Sequence, residues 1–291
     1  MSLAPSEITV MMNGLPGNMG REVAAACLRK GFKVAPYALT GPDVEEDKVE
    51  VDNMEGGPKT SVKLIKATDG GTADGIIQGV KAGCGNGLVV IDYTHPSAVN
   101  GNAEFYARNG LNFVMGTTGG DREKLMATTV ESGVYAVIAP NMGKQIVALQ
   151  ATIELMAKQF PGAFSGYMLE VTESHQSAKA DVSGTGKALA ADLAVLAGSD
   201  FPPERIKMLR QRDEQLAFGV PEDALRGHAF HTYSLKSGDG SVEFQFRHNV
   251  CGRRTYAEGT ADAVAFLAGR AAAKAEQRVY NMVDVLRLGG V

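Results

Sequence analysis

Gly14, Gly17 and Gly20 recur at three-residue intervals between a short apolar run and a helical one. The run Ile8 to Met12 reads as a buried strand. Asn13-Gly14-Leu15-Pro16-Gly17-Asn18-Met19-Gly20-Arg21 follows at once. Glu22 to Lys30 then reads as a helix ended by Gly31, and Phe32 to Leu39 as a second strand. Strand, glycine turn, helix and strand together open a dinucleotide-binding unit. Glycines close the turn and let a pyrophosphate approach the backbone, while the helix N-terminus faces the phosphate charge. The candidate cofactor contacts are Gly14, Leu15, Pro16, Gly17, Asn18 and Met19. The spacing G-x-x-G-x-x-G is one residue longer than the commonest form.

An acidic residue usually ends the second strand and holds the ribose hydroxyls of NAD. Here the sequence reads Tyr37-Ala38-Leu39-Thr40-Gly41, with no acid before Asp43. That places Thr40 at the ribose and leans towards NADPH, though no arginine replaces the acid and NADH stays open.

Val44 to Thr72 is charged and glycine-punctuated, with a strand-like piece at Val62 to Lys66. Helices are expected at Ala73 to Ala82, Ser97 to Asn109 and Asp121 to Ser132. Leu88 to Asp92 and Asn112 to Met115 read as buried strands, as does Val134 to Ala139. They run into Tyr93-Thr94-His95-Pro96, Gly116-Thr117-Thr118-Gly119-Gly120 and Pro140-Asn141-Met142-Gly143. In a parallel sheet these ends gather at one edge, where the ligand crevice lies. Gly116, Thr117, Thr118, Ala139, Pro140, Asn141 and Met142 therefore join the cofactor candidates.

From Lys144 the texture changes. Gln145 to Gln159 and Gly186 to Ala197 read as helices, and Gly166 to Ser174 alternates like a strand. Tyr233 to Leu235 and Val242 to Val250 form an antiparallel pair around Ser237-Gly238-Asp239-Gly240. Ala261 to Ala275 is helical, and Val279 to Leu288 closes the chain.

Between those elements runs Glu170-Val-Thr-Glu-Ser-His-Gln-Ser-Ala-Lys-Ala-Asp-Val-Ser-Gly-Thr-Gly-Lys187. His175 and Lys179 stand four apart in it. Histidine can hand over a proton near neutral pH. Lysine offers a positive charge to an anion or to a developing negative charge. Ser183, Gly184 and Thr185 supply hydroxyls and accessible N–H groups suited to a carboxylate. The alternative is a solvated loop. Ser-Gly-Thr-Gly-Lys also mimics the end of a phosphate-binding P-loop. It fails because Asp181 stands where the leading glycine belongs and Ala188 follows Lys187.

At 291 residues the chain is long enough for two domains. A net charge of −4 argues against a broad nucleic-acid surface, so an anionic ligand must be met by local cations. No apolar run reaches the roughly 18 residues of a membrane span. The amino terminus lacks signal-peptide architecture. Cys27, Cys84 and Cys251 are scattered, which argues against a disulfide framework or a zinc site and for a reducing compartment; no metal is expected.

Taken in order, these motifs resemble the dihydrodipicolinate reductases of lysine biosynthesis over nearly the whole chain. The resemblance rests on Gly14 to Gly20, Asp92-Tyr93-Thr94, Gly116-Thr117-Thr118 and Ala139-Pro140-Asn141-Met142. Glu173 to Thr185 and Arg253 to Gly259 complete it. Bacterial members carry two adjacent histidines and a proline before Ser-Gly-Thr. Here Gln176 replaces the second histidine and the proline is missing, as in the plant-type branch.

The resemblance implies an α/β protein: a Rossmann-type dinucleotide-binding domain plus an α/β substrate and oligomerisation domain with a mixed sheet. The first would span residues 1–140 with 256–291, and the second 141–255. It implies an NAD(P)H-dependent reductase that moves hydride to ring C4 of a cyclic imine dicarboxylate with loss of water. His175 would donate the proton and Lys179 supply charge, with Gln176, Ser183, Gly184, Thr185 and Arg253 binding substrate. A soluble homo-oligomer, dimer or tetramer, is expected, with no membrane partner. Its place would be the chloroplast stroma in a plant or alga and the cytoplasm otherwise. The competing readings are another NAD(P)-dependent dehydrogenase of the aspartate pathway and a non-catalytic nucleotide-binding redox sensor. An acyl-forming semialdehyde dehydrogenase would need a nucleophilic cysteine, and none stands in a candidate loop.

Overall fold

The structure, a computed structural model, describes residues 3–66 and 70–289. Met1, Ser2, Ala67 to Asp69, Gly290 and Val291 lie outside the described residues, including three within the glycine-punctuated stretch 44–72. The chain divides into two compact units, residues 1–144 with 254–291, and residues 145–253.

The first unit starts with β1 (Thr9–Asn13), α1 (Asn18–Arg29), β2 (Lys33–Val34) and β3 (Tyr37–Thr40). Next come β4 (Lys48–Val51), β5 (Thr60–Lys66), α2 (Gly70–Cys84), β6 (Leu88–Asp92), α3 (Val99–Arg108), β7 (Asn112–Met115), α4 (Arg122–Ser132) and β8 (Ala136–Ile138). The second unit holds α5 (Lys144–Gln159), β9 (Met168–His175), α6 (Gly184–Ala197), β10 (Lys207–Leu209), α7 (Arg212–Ala217), β11 (His228–Lys236) and β12 (Glu243–Cys251). The chain then returns to the first unit with α8 (Arg254–Ala272), β13 (Val279–Tyr280) and α9 (Met282–Leu288).

Six strands of the first unit form one parallel sheet in the order β13-β8-β7-β6-β1-β2. Strand β1 is buried along its whole length, as is β6. That burial explains why both read as continuous apolar runs rather than alternating ones.

The single strand expected over Phe32 to Leu39 is instead two strands in two sheets. Pro36 interrupts it, because proline has no N–H for the ladder. After Ala35 donates to Val10 at 2.8 Å the pairing with β1 ends, and β3 joins a separate sheet in the order β3-β5-β4. A side chain bridges the break: the Asn13 carboxamide oxygen accepts the Leu39 N–H at 2.8 Å, while the Gly14 N–H donates to the Leu39 carbonyl.

In the second unit, β10-β9-β11-β12 form a mixed sheet: β10 is parallel to β9, and the other pairs are antiparallel. The alternation of β9 buries Leu169 and Val171 against Leu189, Leu193 and Leu196 of α6. Each such fully buried leucine contributes about 1.5–3 kcal/mol. Ser183 caps α6, its hydroxyl accepting the Gly186 N–H, and Gly198 ends the helix in the left-handed conformation at φ 59°.

Several boundaries differ from the sequence reading. Helix α1 starts at Asn18, four residues early, because Gly17 serves as its N-cap. Helix α8 starts at Arg254 and ends before Lys274, whose φ is 51°. Strands β4 and β10 and helix α7 had no clear sequence signal; all are short.

Candidate active site

In the first unit, β1, β6, β7 and β8 deliver their loops at the same edge of the parallel sheet. Two glycines there are demanded by space. A Cβ on Gly14, whose φ is +100°, would lie 2.1 Å from the Tyr93 carbonyl oxygen. One on Gly116 would lie 2.3 Å from the Tyr93 ring. Tyr93 is thus wedged between the β1 and β7 loops, and its hydroxyl bonds Thr260 Oγ1 of α8 at 2.7 Å. At Gly17 a Cβ would meet the Gly14 carbonyl oxygen at 2.8 Å. Gly17 caps α1 without a side-chain bond, which leaves first-turn N–H groups for an anion.

Beneath these loops Asp92 is fully buried and accepts from five donors. They are the Thr94 N–H, the hydroxyls of Thr94, Thr117 and Tyr106, and the Asn102 amide, at 2.6 to 3.1 Å. A buried carboxylate is tolerated only with such partners. Here it ties the Thr94 and Thr117 segments to each other.

The loop after β8 rests on α8. A Cβ on Gly259 would stand 1.8 Å from the Met142 carbonyl oxygen. Asp262, 6% exposed on the same helix, pairs with Lys30 at 2.5 Å and with Lys144.

The expected cofactor residues fall into two groups. Gly17, Asn18, Thr118 and Pro140 are exposed. Leu15, Thr40, Ala139 and Met142 are buried, so their side chains belong to the core. The Thr40 hydroxyl donates to the Leu15 carbonyl. Gly14, Pro16, Met19, Gly116, Thr117 and Asn141 are intermediate.

In the second unit His175 is the last residue of β9, one residue beyond the strand expected over Gly166 to Ser174. Its Nε2 lies 3.3 Å from Nε2 of His231 on β11. Both face Glu173 Oε2, at 3.9 Å from His175 and 3.6 Å from His231. Glu173 is fully buried; Arg210 donates to its Oε1 at 2.6 Å, and the Ser183 N–H donates to Oε2 at 3.1 Å. Burial works to raise the Glu173 pKa, but the His231 ring, Arg210 and the Ser183 N–H outweigh it and bring it down to about 2. Burial and then the neighbouring His231 push His175 down to about 4. His248 stacks on His231 at 4.5 Å between centroids, and burial likewise lowers it to about 4.

Lys179 closes a turn with Gln176, its N–H donating to the Gln176 carbonyl. Its ammonium is not a free charge: it pairs with Asp181 at 2.7 Å, and that carboxylate is 77% exposed. Gln176 and Thr185 are half-buried, and Gly184, exposed, opens α6. Arg253, also half-buried, ends this unit near Gly227. A cavity of about 390 Å³ lies beside Gln176, Ser177 and Ala178, with Arg210, Arg212 and Arg226 on its walls.

Four residues beside the motif carry no assignment from sequence. Glu173 shares the β9 face with His175 by simple alternation, a signal that was there to read. His231, 56 residues on in the chain, comes in only through strand pairing, opposite Glu173. Arg210 and Gln215, whose amide donates to the His175 carbonyl at 2.7 Å, lie in the segment with the weakest pattern.

Comparison with known proteins identifies the family. Residues 8–142 match the family described as "Dihydrodipicolinate reductase, N-terminus", and residues 145–286 match "Dihydrodipicolinate reductase, C-terminus". A chloroplastic 4-hydroxy-tetrahydrodipicolinate reductase 1 of Arabidopsis thaliana is 46% identical, over 98% of this chain and 79% of that protein. A 4-hydroxy-tetrahydrodipicolinate reductase of Ralstonia pickettii is 30% identical over 96% of this chain and 99% of its own length. A dipicolinate-bound dihydrodipicolinate reductase from Paenisporosarcina sp. TG-14 shares the fold, with a TM-score of 0.62 at 20% identity, over 94% of this chain and 97% of that one.

Proposed function

The chain belongs to the dihydrodipicolinate reductase family, and on that premise we propose that it reduces 4-hydroxy-tetrahydrodipicolinate to tetrahydrodipicolinate with NAD(P)H. Hydride reaches ring C4, water is lost, and one proton is taken up. The observation that carries the reading is the cluster at the end of β9, where a buried imidazole lies beside the N-terminus of a helix opened by Ser183 and Gly184. Few other uses call for a proton donor and an anion-binding turn side by side.

The nucleotide-unit loops fit a dinucleotide. The space that a Cβ of Gly14 or Gly17 would fill is already bounded by backbone, so the turn stays narrow and the N-terminus of α1 stays open to phosphate. When bound, NAD(P)H supplies the hydride. Asp92, through Thr94 and Thr117, fixes the β6 and β7 loops around it. The lack of an acid at the end of β3 supports a lean to NADPH.

On the substrate side, Ser183, Gly184 and Thr185 hold one carboxylate, with Gln176 as a hydrogen-bond partner. Lys179 and Arg253 bring positive charge to a dianion in a protein of net charge −4. His175, with its pKa down near 4, is neutral in the free protein at neutral pH. A dianionic substrate raises that pKa, so the ring gains its proton as substrate binds and then gives it to the reduced ring system.

A homo-oligomer, dimer or tetramer, built on the second unit is part of this reading. The chloroplastic plant relatives support a stromal location in a plant or alga, and the cytoplasm otherwise. No helix among the described residues is long and apolar enough to cross a membrane.

A coupled assay tests the proposal. The upstream synthase generates the unstable substrate, and nicotinamide oxidation is followed by absorbance. Oxidation that depends on the synthase product is expected; its absence with folded protein refutes the reading.

A further inference from the structure

We propose that Glu173, His175 and His231 form a binding site for a single divalent transition-metal ion of the zinc class. The three ligand atoms form a triangle with edges of 3.3, 3.6 and 3.9 Å. A tetrahedral ion with bonds of about 2.0–2.1 Å holds its ligand atoms about 3.3–3.4 Å apart. One edge already has that length, and the other two need to shorten by only a few tenths of an ångström. An octahedral magnesium ion, with bonds of about 2.1 Å, needs edges of about 3.0 Å. Every edge here is longer than that, and imidazole is a poor magnesium ligand.

The donor set, two imidazole nitrogens and one carboxylate oxygen with a fourth position open, suits zinc, cobalt and related ions. The side chains are 10%, 2% and 0% exposed for His175, His231 and Glu173, so their atoms are placed before an ion arrives. Arg210 and the Ser183 N–H orient the carboxylate, as outer partners do at metal sites. Helix α6 leaves room: a Cβ on Gly186 would stand 3.0 Å from Glu173 Oε2 and 3.6 Å from the His231 ring, and no side chain is there. Without an ion, the two facing Nε2 atoms satisfy each other only if one ring carries its proton there.

Arg210 also brings a positive charge close to the site, which opposes a dication. Binding is therefore reversible rather than structural. An ion here takes the Nε2 lone pair of His175. If His175 is the proton donor, as argued above, the site is inhibitory; that consequence rests on the proposed function, whereas binding itself does not.

Titration of the full-length protein with Co²⁺ tests the site. The expected result is one equivalent bound, with the visible absorption of tetrahedral cobalt and no thiolate charge-transfer band, displaced by one equivalent of Zn²⁺. His231→Gln and Glu173→Gln, each checked for folding by circular dichroism, should weaken binding by at least about 100-fold. Absence of the tetrahedral band in the unaltered protein overturns the proposal whether or not the variants fold. So does a sulfur charge-transfer band, or an unchanged band in a folded His231→Gln variant. Zn²⁺ should inhibit turnover in step with occupancy. Occupancy without inhibition would uphold the site and refute His175 as proton donor.

Discussion

The Thr40 hydroxyl donates to the Leu15 carbonyl over 2.7 Å, joining the end of β3 to the glycine turn after β1. Thr40 is 4% exposed, so its side chain braces the turn. Thr40→Asp should therefore test the bracing more than the cofactor. It buries a carboxylate against a carbonyl oxygen and should cost about 2–5 kcal/mol of stability. The next residue is the better probe of the ribose. Gly41 is exposed, and a Cβ there meets nothing within 4 Å. Gly41→Asp should lower the NADPH to NADH ratio of kcat/KM about 10-fold, equivalent to about 1.4 kcal/mol, at unchanged Tm. An unmoved ratio would place the ribose elsewhere.

His175→Gln should cut kcat by about 10²- to 10⁴-fold. Because His175 ends a strand and faces His231, a stability loss of about 1–2 kcal/mol should accompany it. The pH dependence separates chemistry from structure. If His175 is the proton donor its acid form is required, and its pKa in the free protein is near 4. The ratio kcat/KM should thus decline as pH rises above that value, while kcat should break at a higher pH because bound dianion raises the pKa. If both profiles break at the same pH, substrate does not charge this ring.

Glu173 and Arg210 should behave as one unit. Glu173→Gln leaves Arg210 half-buried without its carboxylate and should cost about 3–5 kcal/mol, the range for breaking a buried pair. Adding Arg210→Met should recover part of that loss, giving a coupling energy above about 1 kcal/mol in a double-mutant cycle. Simple additivity in urea melts would show that the pair does not act as one.

Acid should destabilise the second unit in two stages. His175 and His248 are held near 4 against an ordinary 6.5, so between those values the unfolded chain binds more protons than the folded one. Stability is then full above 6.5 and falls as pH drops towards 4. Glu173, near 2 against 4.5, adds a second loss as pH falls from 4.5 towards 2. Urea midpoints measured across this range should decline with falling pH; a flat profile would mean these groups are not buried as described.

Asp181→Asn should change stability by less than about 0.5 kcal/mol, since its carboxylate is 77% exposed. Lys179→Ala should raise KM for substrate and lower kcat while leaving NADPH affinity near normal. Calorimetric titration with NADPH would expose the opposite pattern.

Sequence carried the parallel sheet well, because the buried centres of strands such as Leu88 to Asp92 and Asn112 to Met115 are apolar runs between clear turns. It carried the glycine turn for the same local reason. Pro36 was equally visible, and its power to split a strand between two sheets follows from its missing N–H, yet the apolar flanks of Phe32 to Leu39 masked it. The stretch from Glu173 to Thr185 was readable as a list of residues but not as a cluster. His175 and Lys179 are neighbours in sequence, whereas the atoms that face His175 come from His231 and from a carboxylate held by Arg210. Strand pairing sets those partners, and no local pattern encodes them.

Helix α8 gives the nucleotide unit an unusual schedule. The loop after β8 leans on Gly259, a residue that leaves the ribosome only after the whole second unit has been made. The half of the protein that is begun first is therefore finished last. A nascent chain ending at Arg253 should hold a folded second unit beside a first one that cannot yet retain NADPH. Lengthening it through Ala272 should switch cofactor retention on, which stalled nascent chains of defined length could show.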